Sequence, residues 1–273
     1  MPRNPLVDPV CALLHPGAMG AAVAACLVRR GHRVGWLRAG RSEATSRRAE
    51  QAGLTPFDDL AELLAHTDIV FSICPPHGAL EMARQLAGFR GIVVDANAVS
   101  PKTSLLIGRT VTGSGARYVD GGIIGPPPIT AGTTRLYLAG DDGEIANLFA
   151  GSALDAVSLT ETPPAASALK MTYAAWTKTT AALLVSIRRT AAAYGVDDDL
   201  VNEWMISQPH LADASLHARR QSHEKGWRWS FELAEVGRTF AAVGQPKGFG
   251  AAASEVFAAS GDEDLPGEPL SDA

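Results

Sequence analysis

The chain has 273 residues, 46% of them hydrophobic, and a formal net charge of −5. That length supports one large or two medium domains around a sizeable core, and the acidic balance gives no reason to expect nucleic acid as a partner. The three cysteines, Cys11, Cys26 and Cys74, have no metal-ligand spacing; they read as small buried residues of a reducing cytoplasm, with no metal expected.

In chain order, Met-Pro-Arg-Asn-Pro lacks the apolar core of a signal peptide, so a cytoplasmic location is expected. Val10–Leu14 is a short apolar run that suits a strand buried on both faces. His15-Pro16-Gly17-Ala18-Met19-Gly20 follows, then an alanine-rich stretch of good helix propensity. Strand, glycine turn and helix open a dinucleotide-binding βαβ unit, with the phosphates at the helix N-terminus. His15 departs from the first glycine of G-x-G-x-x-G, and Pro16 holds it extended; an ordinary strand-to-helix turn with two glycines is the bland alternative. Gly31 ends the helix and His32–Leu37 is the second strand. An acid about 20 residues beyond the glycine turn usually holds an adenosine 2′-hydroxyl. Here Arg38-Ala39-Gly40-Arg41-Ser42 stands instead. Arginine can fork onto a 2′-phosphate, so NADP is favoured over NAD; a solvated basic loop is the alternative.

A short strand at Gly53-Leu54 and a helix over Asp58–Ala65 come next. Asp68–Cys74 is a buried strand ending in Pro75-Pro76, and Gly78–Leu86 is helical. Gly91–Asp95 and Tyr118–Asp120 are strands, with a helix starting at Ser100-Pro101-Lys102 between them, and Leu136–Ala139 closes the sheet. Strands alternating with helices over about 160 residues predict a doubly wound, parallel α/β domain of Rossmann type.

Beyond Pro163-Pro164 the pattern is helical: Ala165–Tyr194 as one long helix stopped by Gly195, then Asp199–Ser207, Leu211–Lys225, Ser230–Val243 and Phe249–Ala259. The long helix carries Lys170, Lys178, Arg188 and Arg189, so it does not span a membrane. The expected division is a dinucleotide-binding domain over 1–162, an all-helical substrate and dimerisation domain over 163–260, and a frayed acidic tail over 261–273. At about 100° per residue, Lys170, Ala174, Thr177 and Ala181 share a face, and Lys178 lies round from it as an exposed or interfacial charge. A lone helical lysine is first of all a snorkelling surface residue. In an interdomain cleft, Lys170 can give a proton to a carbonyl oxygen or help take one from an alcohol. Trp204, Trp227 and Trp229 look exposed, which suits an interface.

Gly17-Ala-Met-Gly20, Asp95-Ala-Asn-Ala-Val-Ser-Pro101, Asp120-Gly-Gly-Ile-Ile-Gly125 and Lys170-Met-Thr-Tyr173 occur in this order. Together they resemble the β-hydroxyacid dehydrogenase superfamily, which includes 6-phosphogluconate dehydrogenases and imine reductases. Trp227–Glu232, Thr239-Phe240 and Gly248-Phe249 look like its branch with a C-terminal domain of the DUF1932 type. The resemblance implies cofactor contacts from His15, Pro16, Gly17, Ala18, Met19 and Gly20, with Arg38, Arg41 and Ser42 at the 2′-phosphate. It places Cys74, Pro75, Pro76 and Asn97 beside the nicotinamide end. Asn97 would also orient substrate, Ile123, Ile124 and Gly125 would fall on the substrate loop, and Lys170 would be the catalytic lysine.

Ile124 stands where the family has a carboxylate-binding serine, and Tyr173-Ala174 where an asparagine follows the lysine. The resemblance therefore implies an NADP(H)-dependent oxidoreductase working between carbonyl and secondary alcohol on a small molecule less polar than a simple hydroxy acid. Either Lys170 or Tyr173 can be its proton donor. An imine reductase and a nucleotide-binding protein without catalysis stay open as alternatives, and the family's habit of pairing implies a homodimer.

Overall fold

The computed structural model describes residues 8–141 and 143–259; the expected tail over 261–273 lies outside them. Two compact units divide between Met171 and Thr172.

The first unit is built on eight strands: β1 Cys11–Leu13, β2 Val34–Leu37, β3 Thr55–Phe57, β4 Ile69–Ser72, β5 Ile92–Asp95, β6 Arg117–Ile124, β7 Thr134–Ala139 and β8 Leu154–Ser158. Their order in the sheet is β3-β2-β1-β4-β5-β6-β7-β8. All neighbours are parallel except β6 and β7. Period-two alternation sorts β1 between two cores: Cys11 and Leu13 pack with Trp36, Phe71 and Phe149, whereas Ala12 and Leu14 pack with Val70, Leu86 and Ile107. The crossovers are α1 Ala18–Arg29, α2 Glu43–Gln51, α3 Leu60–Ala65, α4 Ala79–Gln85 after a 3-10 turn at Pro76–Gly78, and α5 Pro101–Gly113, with a short α6, Glu144–Asn147, between β7 and β8. The sheet runs outward in both directions from the β1/β4 boundary. Ligands in such sheets sit at that switch point, outside the carboxyl ends of the strands.

The sequence reading finds most of these elements, but it sets the third strand at Gly53-Leu54 instead of Thr55–Phe57 and misses α2, the four-residue α6, β8 and the far end of β6. α2 buries only Thr45 and Ala49, so it carries almost no apolar period, although Ser42 caps it by accepting from the Thr45 amide at 3.3 Å. β8 is an edge strand with one fully buried residue, Leu154. β6 continues from Asp120 through Gly121-Gly122 to Ile124, where the glycines conceal the strand pattern.

The second unit continues the helix α7, Ala165–Ala174, which begins in the first. A π-helical segment over Ala175–Thr179 leads into α8 Thr180–Ala193; α9 Asp197–Ser207, α10 His210–Ala242 and α11 Gly248–Ala258 follow. The expected single helix over Ala165–Tyr194 is thus interrupted. A π turn holds more residues than an α turn, so the 100° count does not carry Lys170's face on to Thr177 and Ala181. The two helices expected over 211–225 and 230–243 are one, α10, of 33 residues. Gly226 looks like a break in the sequence, yet it is buried inside α10, where a Cβ would lie 3.4 Å from the Phe257 carbonyl oxygen. Gly250 is required by a closer approach, because a Cβ there would lie 2.5 Å from the Gly237 amide nitrogen.

Of the tryptophans Trp204, Trp227 and Trp229, the first and last are core residues, which corrects the expectation for them, and Trp227 is exposed. Lys178 is likewise no surface charge: its Nζ lies 2.5 Å from Glu232 Oε1, both side chains are 12% exposed, and it sits over the Trp229 ring. No helix among the described residues is long and apolar enough to cross a membrane.

Candidate functional site

β1 delivers the chain into His15-Pro16-Gly17 at the carboxyl edge of the sheet. Gly17, at φ −67° and ψ 180°, is the N-cap of α1 and provides no side-chain cap. The first amides of α1 stand at the positive end of a 12-residue helix, where an anion is stabilised. Gly20 is required by packing, because a Cβ there would lie 2.8 Å from the His15 carbonyl oxygen. Gly17 is not: its φ suits any residue, and a Cβ would meet nothing nearer than His15 Cδ2 at 3.7 Å. The protein leaves room beside the helix terminus that its own packing does not need; dinucleotide-binding folds place a pyrophosphate at such a terminus.

Two arginines from the β2–α2 region close over this turn. Arg41 places Nη1 2.9 Å from His15 Nδ1 and donates through Nη2 to the Leu14 carbonyl at 3.0 Å. Arg48, which the sequence reading passed over, donates to the Pro16 carbonyl at 3.4 Å and to Thr45 Oγ1 at 3.1 Å. Burial, followed by Arg41 and Arg48, holds the His15 pKa below its ordinary value. The ring is therefore neutral at pH 7, with Nδ1 accepting from Arg41. Arg38 turns elsewhere: its guanidinium is bidentate on Asp58, at 2.8 and 2.5 Å, so its fork is engaged by a carboxylate. Ala18 and Ser42 are exposed beside the turn, Pro16 is buried, and Met19 packs on the core.

At the ends of β4 and β5, Asn97 is 2% exposed and every polar atom of its side chain has a partner. Its Oδ1 accepts from the Cys74 amide at 2.6 Å; its Nδ2 donates to Ser72 Oγ at 2.9 Å and to Asp95 Oδ1. Asn97 thus has both polar atoms engaged within the protein. It is a buried tie that fixes the segment Cys74-Pro75-Pro76 against β5. Cys74 is half-buried, and burial pushes its thiol up to about 12, so it is no nucleophile. Pro75 and Pro76 lead the 3-10 turn and are half-buried.

One strand further, Asp95 and Asp120 are register partners on β5 and β6. Both are buried, and burial raises both. Asp95, raised further by Asp120, reaches about 7, and its Oδ2 has no hydrogen-bond partner. Asp120 accepts from Ser104 Oγ at 2.8 Å and from the Ser167 amide at 2.9 Å. Ile123 and Ile124 lie in β6 and are buried, so they are strand residues rather than a loop. Gly125 has φ +127°, and a Cβ there would stand 2.4 Å from the Thr133 carbonyl oxygen. The turn into β7 explains that glycine without a ligand. Lys170 is half-buried on α7, above the carboxyl end of β6: a Cβ added to Gly122 would lie 3.1 Å from Lys170 Cβ. Tyr173, 48% exposed, falls in the second unit.

Glycine turn, proline segment and Lys170 thus gather at the carboxyl edge of β1, β4 and β6 within the first unit. The model of the NAD-binding domain of 6-phosphogluconate dehydrogenase matches residues 12–156, more than half of the chain. The chain belongs to this family. A second family model, a domain of unknown function designated DUF1932, matches residues 191–260 of this 6-phosphogluconate dehydrogenase-like protein. A curated relative from Methanothermus fervidus, an uncharacterised 28.5 kDa protein, is 29% identical over 163 residues, which are 59% of this chain and 63% of the relative. The chain thus matches under two thirds of that relative's length. A solved protein of unknown function, described as similar to 3-hydroxyacid dehydrogenases, is 25% identical with a TM-score of 0.68, over 92% of this chain and 96% of its own. The 3-hydroxyisobutyrate dehydrogenase of Mycobacterium tuberculosis, solved with L-serine, shares the fold at 18% identity and a TM-score of 0.67, over 92% of this chain and 93% of its own.

The sequence reading of this 6-phosphogluconate dehydrogenase-like chain missed Arg48, Ser72, Ser104 and Ser167, and gave Asp95 and Asp120 no role. A single faint signal existed for the two acids: each closes an apolar strand run, where a carboxylate costs stability unless something receives it.

Proposed function

We propose that the protein is an NADP(H)-dependent oxidoreductase acting between a carbonyl and a secondary alcohol, in a reducing cytoplasm. The observation that carries this is Lys170 held above Gly122 at the sheet edge that also bears the glycine turn. A bound nicotinamide supplies or accepts the hydride. The α1 N-terminus and Gly17 hold the pyrophosphate, and Arg41 with Ser42 and Arg48 reads the 2′-phosphate. The segment fixed by Asn97 lines the nicotinamide end. In reduction, the Lys170 ammonium donates its proton as charge develops on the carbonyl oxygen; in oxidation the amine takes it back. Asn97 is occupied and Ile123 and Ile124 are buried and apolar. A substrate less polar than a hydroxy acid, gripped by burial more than by hydrogen bonds, suits such a site.

The test is turnover of ketones, secondary alcohols and cyclic imines by the purified protein, with NADPH and with NADH. Lys170→Met should lose about 10²–10⁴ in turnover while NADPH affinity stays within a few-fold. If Lys170→Met works normally while Tyr173→Phe is dead, the tyrosine is the acid. Turnover of imines alone moves the assignment to C=N reduction. Cofactor binding without any turnover makes the protein a nucleotide-binding module.

A further inference from the structure

The start of α7 follows Pro163-Pro164, which supply no amide donors. The orphan amides of its first turn must therefore find acceptors elsewhere. Two of them, from Ala166 and Ser167, point at one carboxylate, that of Asp120 on β6. Ser167 adds its hydroxyl to Asp120 Oδ1, and Ser104 of α5 donates to the same oxygen at 2.8 Å. Ser104 is in turn 2.9 Å from the Tyr118 hydroxyl, so the carboxylate is braced from both sides. Asp120 is wholly buried, and a buried carboxylate at the positive end of a ten-residue helix is favourably placed.

Two residues along β6, on the same face of the strand, Gly122 provides the matching gap. A Cβ there would stand 2.6 Å from the Ala166 carbonyl oxygen and 3.1 Å from Lys170 Cβ. The helix is thus pulled onto β6 at Asp120 and lies flush at Gly122. Lys170 is three residues beyond Ser167, about one turn along. We infer that Asp120 is the positioning residue for Lys170, which it places over the carboxyl end of β6 by capping α7 through Ser167 and Ala166. The inference rests on the reading of Lys170 as proton donor for its meaning, and on the cap and the gap for its geometry.

The experiment follows Lys170 directly, without a substrate. Wild type, Asp120→Asn, Ser167→Ala and Ser167→Thr are acetylated with limiting acetic anhydride at fixed alkaline pH, and each lysine is quantified by peptide mass spectrometry. In Asp120→Asn and Ser167→Ala the Lys170 rate should change several-fold, while Lys178, in its own buried ion pair, keeps its rate. Ser167→Thr, which retains the hydroxyl, should restore the wild-type rate. Parallel changes at Lys170 and Lys178 would show general loosening and overturn the inference, as would an unchanged Lys170 in both variants. Lys170→Met in the turnover panel separates the two proposals. Full activity there removes the proton-donor reading and leaves the acetylation result standing; loss of activity with unchanged acetylation removes Asp120 as the positioning residue.

Discussion

Asp95 couples the sheet edge to pH. Its carboxyl is raised to about 7 by burial and then by Asp120, against an unfolded value near 4. The folded state therefore binds the proton more tightly than the unfolded chain. The stability this contributes is full below about pH 4 and is lost as pH rises through 7. Asp95→Asn keeps an oxygen to accept from Asn97 and removes the titration. Thermal melts across that range should show wild type losing stability toward neutral pH and Asp95→Asn losing markedly less; equal slopes would refute the assignment. Arg41 makes a second test at this scale. Losing a charge-assisted fork costs about 1.5–3 kcal/mol, so Arg41→Ala should weaken NADPH roughly ten- to hundredfold and change NADH little. Arg41 is also the second cause, after burial, of the lowered His15 pKa. The same variant should raise the His15 midpoint in an NMR titration. At this scale the sequence shows residues whose role is written in local order, such as Gly17 and Gly20. It hides residues whose role depends on which strands are neighbours. The bond from the Cys74 amide to the Asn97 amide oxygen is invisible until β4 lies beside β5, and Asp120 reads as a strand end until α7 arrives above it.

Among the elements, the strands declare themselves where both faces are buried, as in Ile69–Ser72 and Ile92–Asp95, because an apolar run of that length has no other use. β8 and α2 are mostly solvated, and their burial is too slight to leave a period. The π-helical segment is the opposite case. Ala175–Thr179 reads as ordinary helix, since α and π turns draw on the same residues, and Lys178 within it is largely covered, against Glu232 and the Trp229 ring. Its partner Glu232 comes from α10, 54 positions away in sequence. Removing one partner of a buried ion pair leaves a charge without its counterpart and costs about 3–5 kcal/mol. Lys178→Met should accordingly lower the denaturation midpoint sharply, while Glu232→Leu added to it should restore much of the loss. Urea titrations of the two variants decide this. A single variant as stable as wild type would show that the pair contributes nothing.

For the whole molecule, the apolar surface of the second unit sets the expectation. Trp227 is 64% exposed on α10, with Phe231 one turn on and Leu216 three turns back along the same helix, all solvent-accessible. On the α8–α11 side, Thr179, Ala182, Leu183, Phe249 and Val256 line a groove of about 400 Å³ whose walls are almost wholly apolar. Single exposed apolar side chains need no explanation, but a stripe and a groove on one small helical unit exceed what a monomer usually shows. A 33-residue helix extends about 50 Å, long enough to present such a stripe to a second copy. Two copies related by a two-fold axis would bury the same patch on each. We therefore propose a homodimer, which light scattering at micromolar concentration should show as twice the 28.6 kDa chain mass. Leu183→Glu, at the groove, and Trp227→Asp, on the stripe, each put a charge into the surface to be buried. The variant at the true interface should dissociate to monomer without a change in helix content by circular dichroism. A monomeric wild type would refute the assembly. A wild-type dimer that survives both substitutions would mean that neither the groove nor the stripe forms the interface.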